Sequence, residues 1–230
     1  MGANITKVRC RLTNTATSTQ TTLYKNEGDM TTFELTGLSP YTQYRVEIAP
    51  EVNGGYLTYT SPYTFTTLPL SQSSYPTSYD SDHRYYSISN PEGAYTEPAA
   101  GTGYCDVYLT RGDGAETYVY WDFGNINIPT NATILSVTCT FRARIETAIS
   151  TRIPIHTAQM YAGTSTPKGT AQSVAASATT YTLNFDPSDW TPAELNNAKL
   201  KIYAQRGTDY SNTSYSFRVY GAELVVEYII

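Results

Sequence analysis

The side chains able to do chemistry in this 230-residue sequence are few: two histidines, three cysteines and a set of dispersed carboxylates. His83 and His156 stand in neither a His-Glu-x-x-His nor a nucleophile-elbow context, and no Gly-rich phosphate loop occurs. His156 lies in a strand-like run beside apolar residues, the setting of a packed or surface histidine. Two clusters have cation-binding residue types, Asp80, Asp82 and His83 in YDSDHRYY, and Asp186, Ser188 and Asp189. Calcium takes roughly six to eight oxygens, which neither stretch supplies. The first therefore reads as a solvated linker and the second as a turn before a short helix. Glycoside hydrolysis needs two facing carboxylates, one of them held protonated in an apolar pocket. Glu116, Asp122, Glu146, Glu223 and Glu227 fall on outward positions of alternating runs instead. If their strands pair, Glu223 and Glu227 are better explained as cross-strand partners of Arg142 or Arg144. The expectation is a protein without catalytic residues, cofactor or metal.

Binding chemistry is better represented. The sequence holds 22 tyrosines, roughly three times the usual share. Tyrosine favours strands, and it also offers a rigid amphipathic face suited to sugar stacking and protein contact. Tyr118, Tyr120, Arg142 and Arg144, all on outward positions, form the candidate ligand-binding set. Arg111-Gly112-Asp113, the tripeptide that integrins recognise, stands in a hairpin-like TRGDGAET, where a Gly-Asp-Gly turn explains it as well. Cys10, Cys105 and Cys139 sit at inward positions of alternating runs and read as small core residues.

A net charge of −5 disfavours nucleic acid as a partner. No apolar run reaches the roughly 18 residues of a membrane span, and the N-terminus lacks the basic-then-apolar order of a signal peptide. With 40% apolar and 15% charged residues, the chain has the composition of a folded domain or two.

Two strictly alternating runs dominate the second half of the chain. In TYVYWDFGNINIPTNATILSVTCTFRARI, residues 117–145, Val119, Trp121 and Phe123 alternate with Tyr118, Tyr120 and Asp122. After a polar connection Leu135, Val137, Cys139, Phe141, Ala143 and Ile145 repeat the pattern. A period of two over that length predicts half-buried strands. Further strands are expected at 85–89, 104–110, 153–162, 180–185, 198–206 and 214–229, with a parity slip at Gly221 that a bulge would produce. Thr191-Pro192-Ala193-Glu194 is a capping box with Pro at the first helical position, and Trp190 before it is a hydrophobic anchor.

In the first half, Phe33-x-Leu35-x-x-Leu38-x-Pro40-x-Thr42-x-Tyr44-x-Val46-x-Ile48 describes a corner and a strand whose inward face is Tyr44, Val46 and Ile48. A hairpin at Gly54-Gly55 leads to a last strand ending in Thr66-Thr67-Leu68-Pro69. This pattern resembles the second half of a fibronectin type III domain, which implies that Tyr44 is the tyrosine-corner residue. Only about 30 residues precede Phe33 and they hold no Trp, so one or two front strands are expected to be missing. A longer parent sequence, a shortened sandwich or a neighbouring subunit would each account for that. The domains are then 1–69, a linker at 70–82, and 83–230.

Three motifs in order carry a second resemblance: Tyr-x-Trp-Asp-Phe followed by Ile128-Pro129 and Asn131-Ala132-Thr133-Ile134-x-Ser136, then Trp190 to Leu195, then Val219 to Leu224. Together they resemble DNRLRE-type jelly-roll modules of bacterial surface proteins, and more closely the modules in tail and fibre proteins of bacteriophages and prophages of Gram-positive hosts. The resemblance implies an all-β chain, a fibronectin type III/Ig-like sandwich followed by a jelly-roll β-sandwich. It also implies a non-enzymatic virion protein made in a bacterial cytoplasm, a tail, fibre or capsid-decoration component. Its partners would be other virion proteins and a host cell-surface glycan, and it would assemble as a homo-oligomer, taken as a trimer. The alternative is a glycan-binding module pair of a bacterial cell-wall-associated enzyme or adhesin.

Overall fold

Alternation of apolar and polar residues over runs of 7 to 15 residues leaves strands as the economical way to bury one side of each run. The computed structural model of the chain is accordingly almost entirely β. It describes residues 5–26, 28, 32–81, 86–98, 103–109, 116–124, 126–145, 155–205 and 215–230. Asp82, His83, the Arg111-Gly112-Asp113 tripeptide and Glu146 lie outside the described residues, as does the side chain of Glu116. The chain forms two compact units that divide after Leu70.

The first unit holds β1 (Ile5–Asn14), β2 (Gln20–Asn26), β3 (Gln43–Val52), β4 (Gly55–Tyr56) and β5 (Tyr63–Thr66). They make a five-stranded antiparallel sheet in the order β2-β1-β3-β4, with β5 also pairing β3. The two-residue connection from β3 to β4, Asn53-Gly54, has positive φ at both positions, 52° and 81°. Asn and Gly are the residues that tolerate this turn, whose twist matches a hairpin. The order of β2, β1, β3 and β5 is that of the C′, C, F and G strands of an Ig-like sandwich. The hydroxyl of Tyr44 accepts a hydrogen bond from the Ser39 backbone N–H at 2.9 Å, so the corner closes as its spacing predicts.

Register places Val8, Cys10 and Leu12 of β1 beside Pro50, Ile48 and Val46 of β3, on the face that also carries Tyr44. Cys10, Leu12 and Tyr44 are buried, but Ile48, expected inward, is 37% exposed. The half-buried segment around Phe33, Leu35 and Leu38 covers one end of this face, and among the described residues no second sheet covers the other. The opposite face is the unexpectedly covered one. Residues 57–60 fold back onto β3 through Leu57 N–H to Pro50 O and Thr60 N–H to Ile48 O. Beneath them, Arg9 and Arg11 stack on the Tyr59 ring at 4.4 and 4.0 Å.

Arg11 also pairs bidentately with Glu47, while Arg45 Nε approaches the same carboxylate at 3.2 Å as an ion pair outside hydrogen-bond geometry. The Arg11 bond outweighs burial and holds the Glu47 carboxyl below its ordinary value. A carboxylate with a depressed folded-state pKa contributes stability above its unfolded pKa and loses it as pH falls through the folded value. The unfolding midpoint of this unit in urea should therefore drop on acidification below about pH 4.5, and Glu47→Gln should flatten that dependence. An unchanged pH profile in the variant would show that Glu47 is not the group responsible.

The second unit contains β6 (Leu70–Ser74), β7 (Ser78–Ser81), β8 (Tyr86–Ser89), β9 (Cys105–Leu109), β10 (Glu116–Asp122), β11 (Thr133–Ile145), β12 (Ile155–Ala162), β13 (Thr166–Ser173), β14 (Thr179–Phe185), β15 (Ala198–Gln205) and β16 (Tyr215–Ile229). One sheet runs β13-β12-β15-β10-β7. The other runs β14-β11-β16-β9-β8, with β6 also on β16. From β9 to β16 the chain changes sheet at every connection except the β12–β13 hairpin, which is the jelly-roll winding. The strands expected from alternation all form. β6 and β7 form as well, inside the 70–82 stretch expected to be a linker, and so does β13, all in Ser/Thr/Pro-rich stretches without a period-two signal.

The inward residues of both sheets make the core, where Trp121, Phe123, Phe141, Met160, Leu200, Phe217 and Leu224 are fully buried. Cys105 and Cys139 lie among them as free thiols. Burial raises both pKa values, that of Cys105 to about 12, in keeping with inert core residues. In β16 the buried set changes from Phe217 and Val219 to Ala222, Leu224, Val226 and Tyr228, with Gly221 also buried at the crossover. The capping box closes in both directions. Glu194 N–H donates to Thr191 Oγ1 and Thr191 N–H to Glu194 Oε2, ahead of a helical turn α1 (Pro192–Leu195). Trp190 is buried edge-on to Phe185.

Candidate functional site

Alternation in β10 points Val119 and Trp121 into the core and Tyr118, Tyr120 and Asp122 outward. Its neighbours bring matching outward sets. Tyr118, Tyr120 and Asp122 face Tyr203, Lys201 and Lys199 of β15. Those three face Thr157, Gln159 and Tyr161 of β12. The outcome is a three-by-three array on one sheet surface with Lys201 at its centre, since directly opposed and diagonal residues on a face lie within side-chain reach.

Lys201 Nζ lies 4.9 Å from the ring centre of Tyr118, 5.4 Å from Tyr120, 5.1 Å from Tyr161 and 5.4 Å from Tyr203. An ammonium among aromatic faces is attracted by the ring quadrupoles, and the long aliphatic stem packs on the same rings. Tyr120 packs edge-on against both Tyr118 and Tyr161, with ring centres 5.3 and 5.5 Å apart. At the corner of the array Lys199 forms an ion pair with Asp122. Beside Lys201 a depression of about 210 Å³ opens, lined by Thr157, Gln159, Tyr161, Lys201 and Tyr203. The Gln159 side-chain amide donates to Gly169 O at 2.8 Å, which fixes its orientation.

Tyr120 is outward on the sheet yet only 5% exposed. Its hydroxyl donates to Thr164 O at 2.9 Å, and burial is the main reason its pKa rises to about 12. It stays a neutral donor and supports the array from below; the surface a ligand would touch belongs to its neighbours. Tyr118 remains half-buried.

Arg142 and Arg144 belong elsewhere. They project from β11, outward from the other sheet, so the sandwich separates them from the tyrosine array. Their guanidinium groups lie 5.4 and 6.0 Å from the ring centre of Tyr220. β11 and β16 pair, and the partner of Glu227 across them is Ser136, whose Oγ donates to it at 2.8 Å, in place of the expected arginine. Next to them Arg218 makes a bidentate pair with Asp106 and covers the Tyr104 ring at 3.6 Å. This second face is a layer of arginines against tyrosine rings, in which the Arg142 Nε is buried without a hydrogen-bond partner among the described residues.

The other sequence candidates resolve as structure. Asp186 accepts from both the N–H and the Oγ of Ser188, the turn reading of that cluster. His156 is half-buried at the end of β12. A larger cavity of about 250 Å³ lies in the first unit, lined by Leu12, Leu23, Leu35, Leu38 and Tyr44 with threonines at its rim. Its apolar walls are the incompletely covered face of that sheet, and no charged side chain other than Glu34 borders it.

Sequence reasoning found Tyr118 and Tyr120 but missed Lys201, Tyr203, Tyr161 and Gln159. Each of these also stands on an outward position of an alternating run. The missing signal was strand order, because β10, β12 and β15 lie far apart along the chain.

No protein-family model matches the chain, and no curated protein matches it. Among solved structures, a chain in the structure of infectious bursal disease virus, Gx strain, aligns with 98% of this chain and 51% of its own length, at 11% identity and a TM-score of 0.34. A chain of the Gt strain aligns over 99% and 54%, at 9% identity and a TM-score of 0.30. The present chain thus spans about half the length of those proteins, and at such TM-scores the likeness carries no argument about topology or role.

Proposed function

We propose that this chain is a non-enzymatic component of a bacteriophage particle, a tail, fibre or capsid-decoration protein whose jelly roll adheres to the host surface or its glycans. The observation that carries the reading is the tyrosine array around Lys201: a rigid, outward, aromatic surface with a shallow opening, on a scaffold whose own core does not need it. Three ordered motifs that resemble phage and prophage tail modules support it, at the 117–145 strand pair, the Trp190–Leu195 turn and the Val219–Leu224 crossover. Partners under this reading are other virion proteins and a cell-surface glycan, and the chain works as a homo-oligomer, taken as a trimer, on the particle.

Co-sedimentation of the whole chain with intact Gram-positive cells tests adhesion. Wild type should pellet with cells, and Tyr203→Ala, which removes an aromatic face at the opening, should lower apparent affinity about tenfold, the usual worth of one stacked ring. Tyr120→Phe, whose hydroxyl is turned to Thr164, should leave adhesion unchanged. A wild-type chain that stays in the supernatant with every host tried would sink the adhesion reading. Light scattering that returned a strict monomer at high concentration would count against the assembled form.

A further inference from the structure

The depression beside Lys201 is too small for an oligosaccharide, since pockets that enclose drug-sized ligands start near 300 Å³. It suits one ring. Its polar groups are of complementary kinds at close range. Gln159 spends an amide N–H on Gly169 O, which leaves its carbonyl oxygen as an acceptor with a fixed direction. Lys201 brings a cationic donor from the next strand, directly opposite Gln159 in register. Thr157 adds a hydroxyl, and Tyr161 and Tyr203 flank the opening with aromatic surface.

We infer that this depression binds a single neutral pyranose residue through two vicinal hydroxyls, one donating to the Gln159 carbonyl oxygen and one accepting from Lys201, with an apolar C–H face of the sugar against Tyr203 or Tyr161. This deepens the adhesion reading and rests on it for its biological context, though not for the binding chemistry. A donor and an acceptor carried by directly opposed residues of neighbouring strands can meet neighbouring hydroxyls of one sugar ring. A carboxylate or phosphate would use only the donor half and would place negative charge against the Gln159 oxygen. Aromatic surface beside the polar pair excludes water from the contact, which raises the worth of both hydrogen bonds.

Saturation-transfer NMR of the full chain with methyl pyranosides of gluco, galacto and manno configuration provides the test, with glucuronate, inorganic phosphate and open-chain glucitol as comparisons. At least one neutral pyranoside should bind with a millimolar Kd, and glucitol, which lacks the ring face, should not. Lys201→Met keeps the stem over the tyrosines and removes the donor, while Gln159→Leu removes the acceptor. Each should weaken binding at least tenfold with the thermal midpoint held near wild type. Should Lys201→Met unfold, Gln159→Leu and Tyr203→Phe carry the test, the second leaving the ring face and therefore most of the affinity in place. Binding of glucuronate or phosphate in preference to every neutral sugar would overturn the inference. So would sugar binding indifferent to Gln159, or no binding by any pyranoside. The two readings fail separately. Adhesion to cells without pyranoside binding removes this inference alone, and pyranoside binding without cell adhesion removes the adhesion reading alone.

Discussion

Gly221→Ala should destabilise the jelly roll by about 3 kcal/mol or more, among the larger effects available to one added methyl group. A Cβ at this position would overlap the Thr96 carbonyl oxygen and fall 3.0 Å from both the carbonyl carbon and oxygen of Glu97. All three are backbone atoms, so no rotamer change relieves the contact. The Thr96 segment is itself tied to β16, with its Oγ1 donating to Tyr220 O at 3.3 Å. Yielding therefore means either pulling that segment off the sheet or reversing the slip that turns Ala222, Leu224 and Val226 inward. In urea the jelly-roll transition should move to a lower midpoint with its slope kept, and Tm should fall by roughly 6 to 12 °C. Gly103→Ala is the matched control, because its Cβ would meet only ordinary contacts of 3.5 and 3.6 Å to Gly93. Equal effects of the two substitutions would mean that the close approach at Gly221 is not what restricts the position.

Asn196→Ala should cost about 2 to 5 kcal/mol, although Asn196 lies outside every strand. Its side chain does the work of a missing strand partner. Asn196 Oδ1 accepts from Ile128 N–H at 2.6 Å and Nδ2 donates to Ile128 O at 2.9 Å. Ile128 is 1% exposed, so truncating Asn196 leaves a buried donor and a buried acceptor unpaired. Asn196→Asp separates the two bonds. At neutral pH it keeps the acceptor and sets a carboxylate against the Ile128 carbonyl, whereas a protonated carboxyl again has a proton to donate. If the bond donated to Ile128 O matters, the folded variant favours the protonated carboxyl, and its deficit relative to wild type should shrink as pH falls toward about 4, near the ordinary carboxylate range. A deficit independent of pH would show that the donated bond to Ile128 O contributes little.

Much of the architecture was legible in residue order because its cause is local. Alternation in 117–123 and 133–145 reflects which side of a strand is dry, and each residue carries that information itself. The Tyr44 corner, the Thr191 capping box and the slip at Gly221 were likewise readable, since each leaves its mark on residues close together in the chain. β13 carries no signal in residue order because an edge strand with exposed residues on both faces has no period to read. Ile48 was misplaced for a related reason: alternation names the face a residue points to, and only the presence or absence of a covering layer settles whether that face is dry.

The candidate site shows where that information stops. Tyr118 and Tyr120 were readable as outward, and so were Arg142 and Arg144, but outward from which sheet is a property of the winding. The jelly roll sends β10 and β11 to different sheets, which parts the two pairs, and sets β15 and β12 beside β10, which surrounds Lys201 with rings from three strands. Sequence by itself determined that the chain is β-built, which residues line the core of the jelly roll and which tyrosines point away from it. Tertiary structure alone decided which of those outward residues share a surface, because strand pairing is made between segments far apart in the chain and is selected by the core that both sheets must close together.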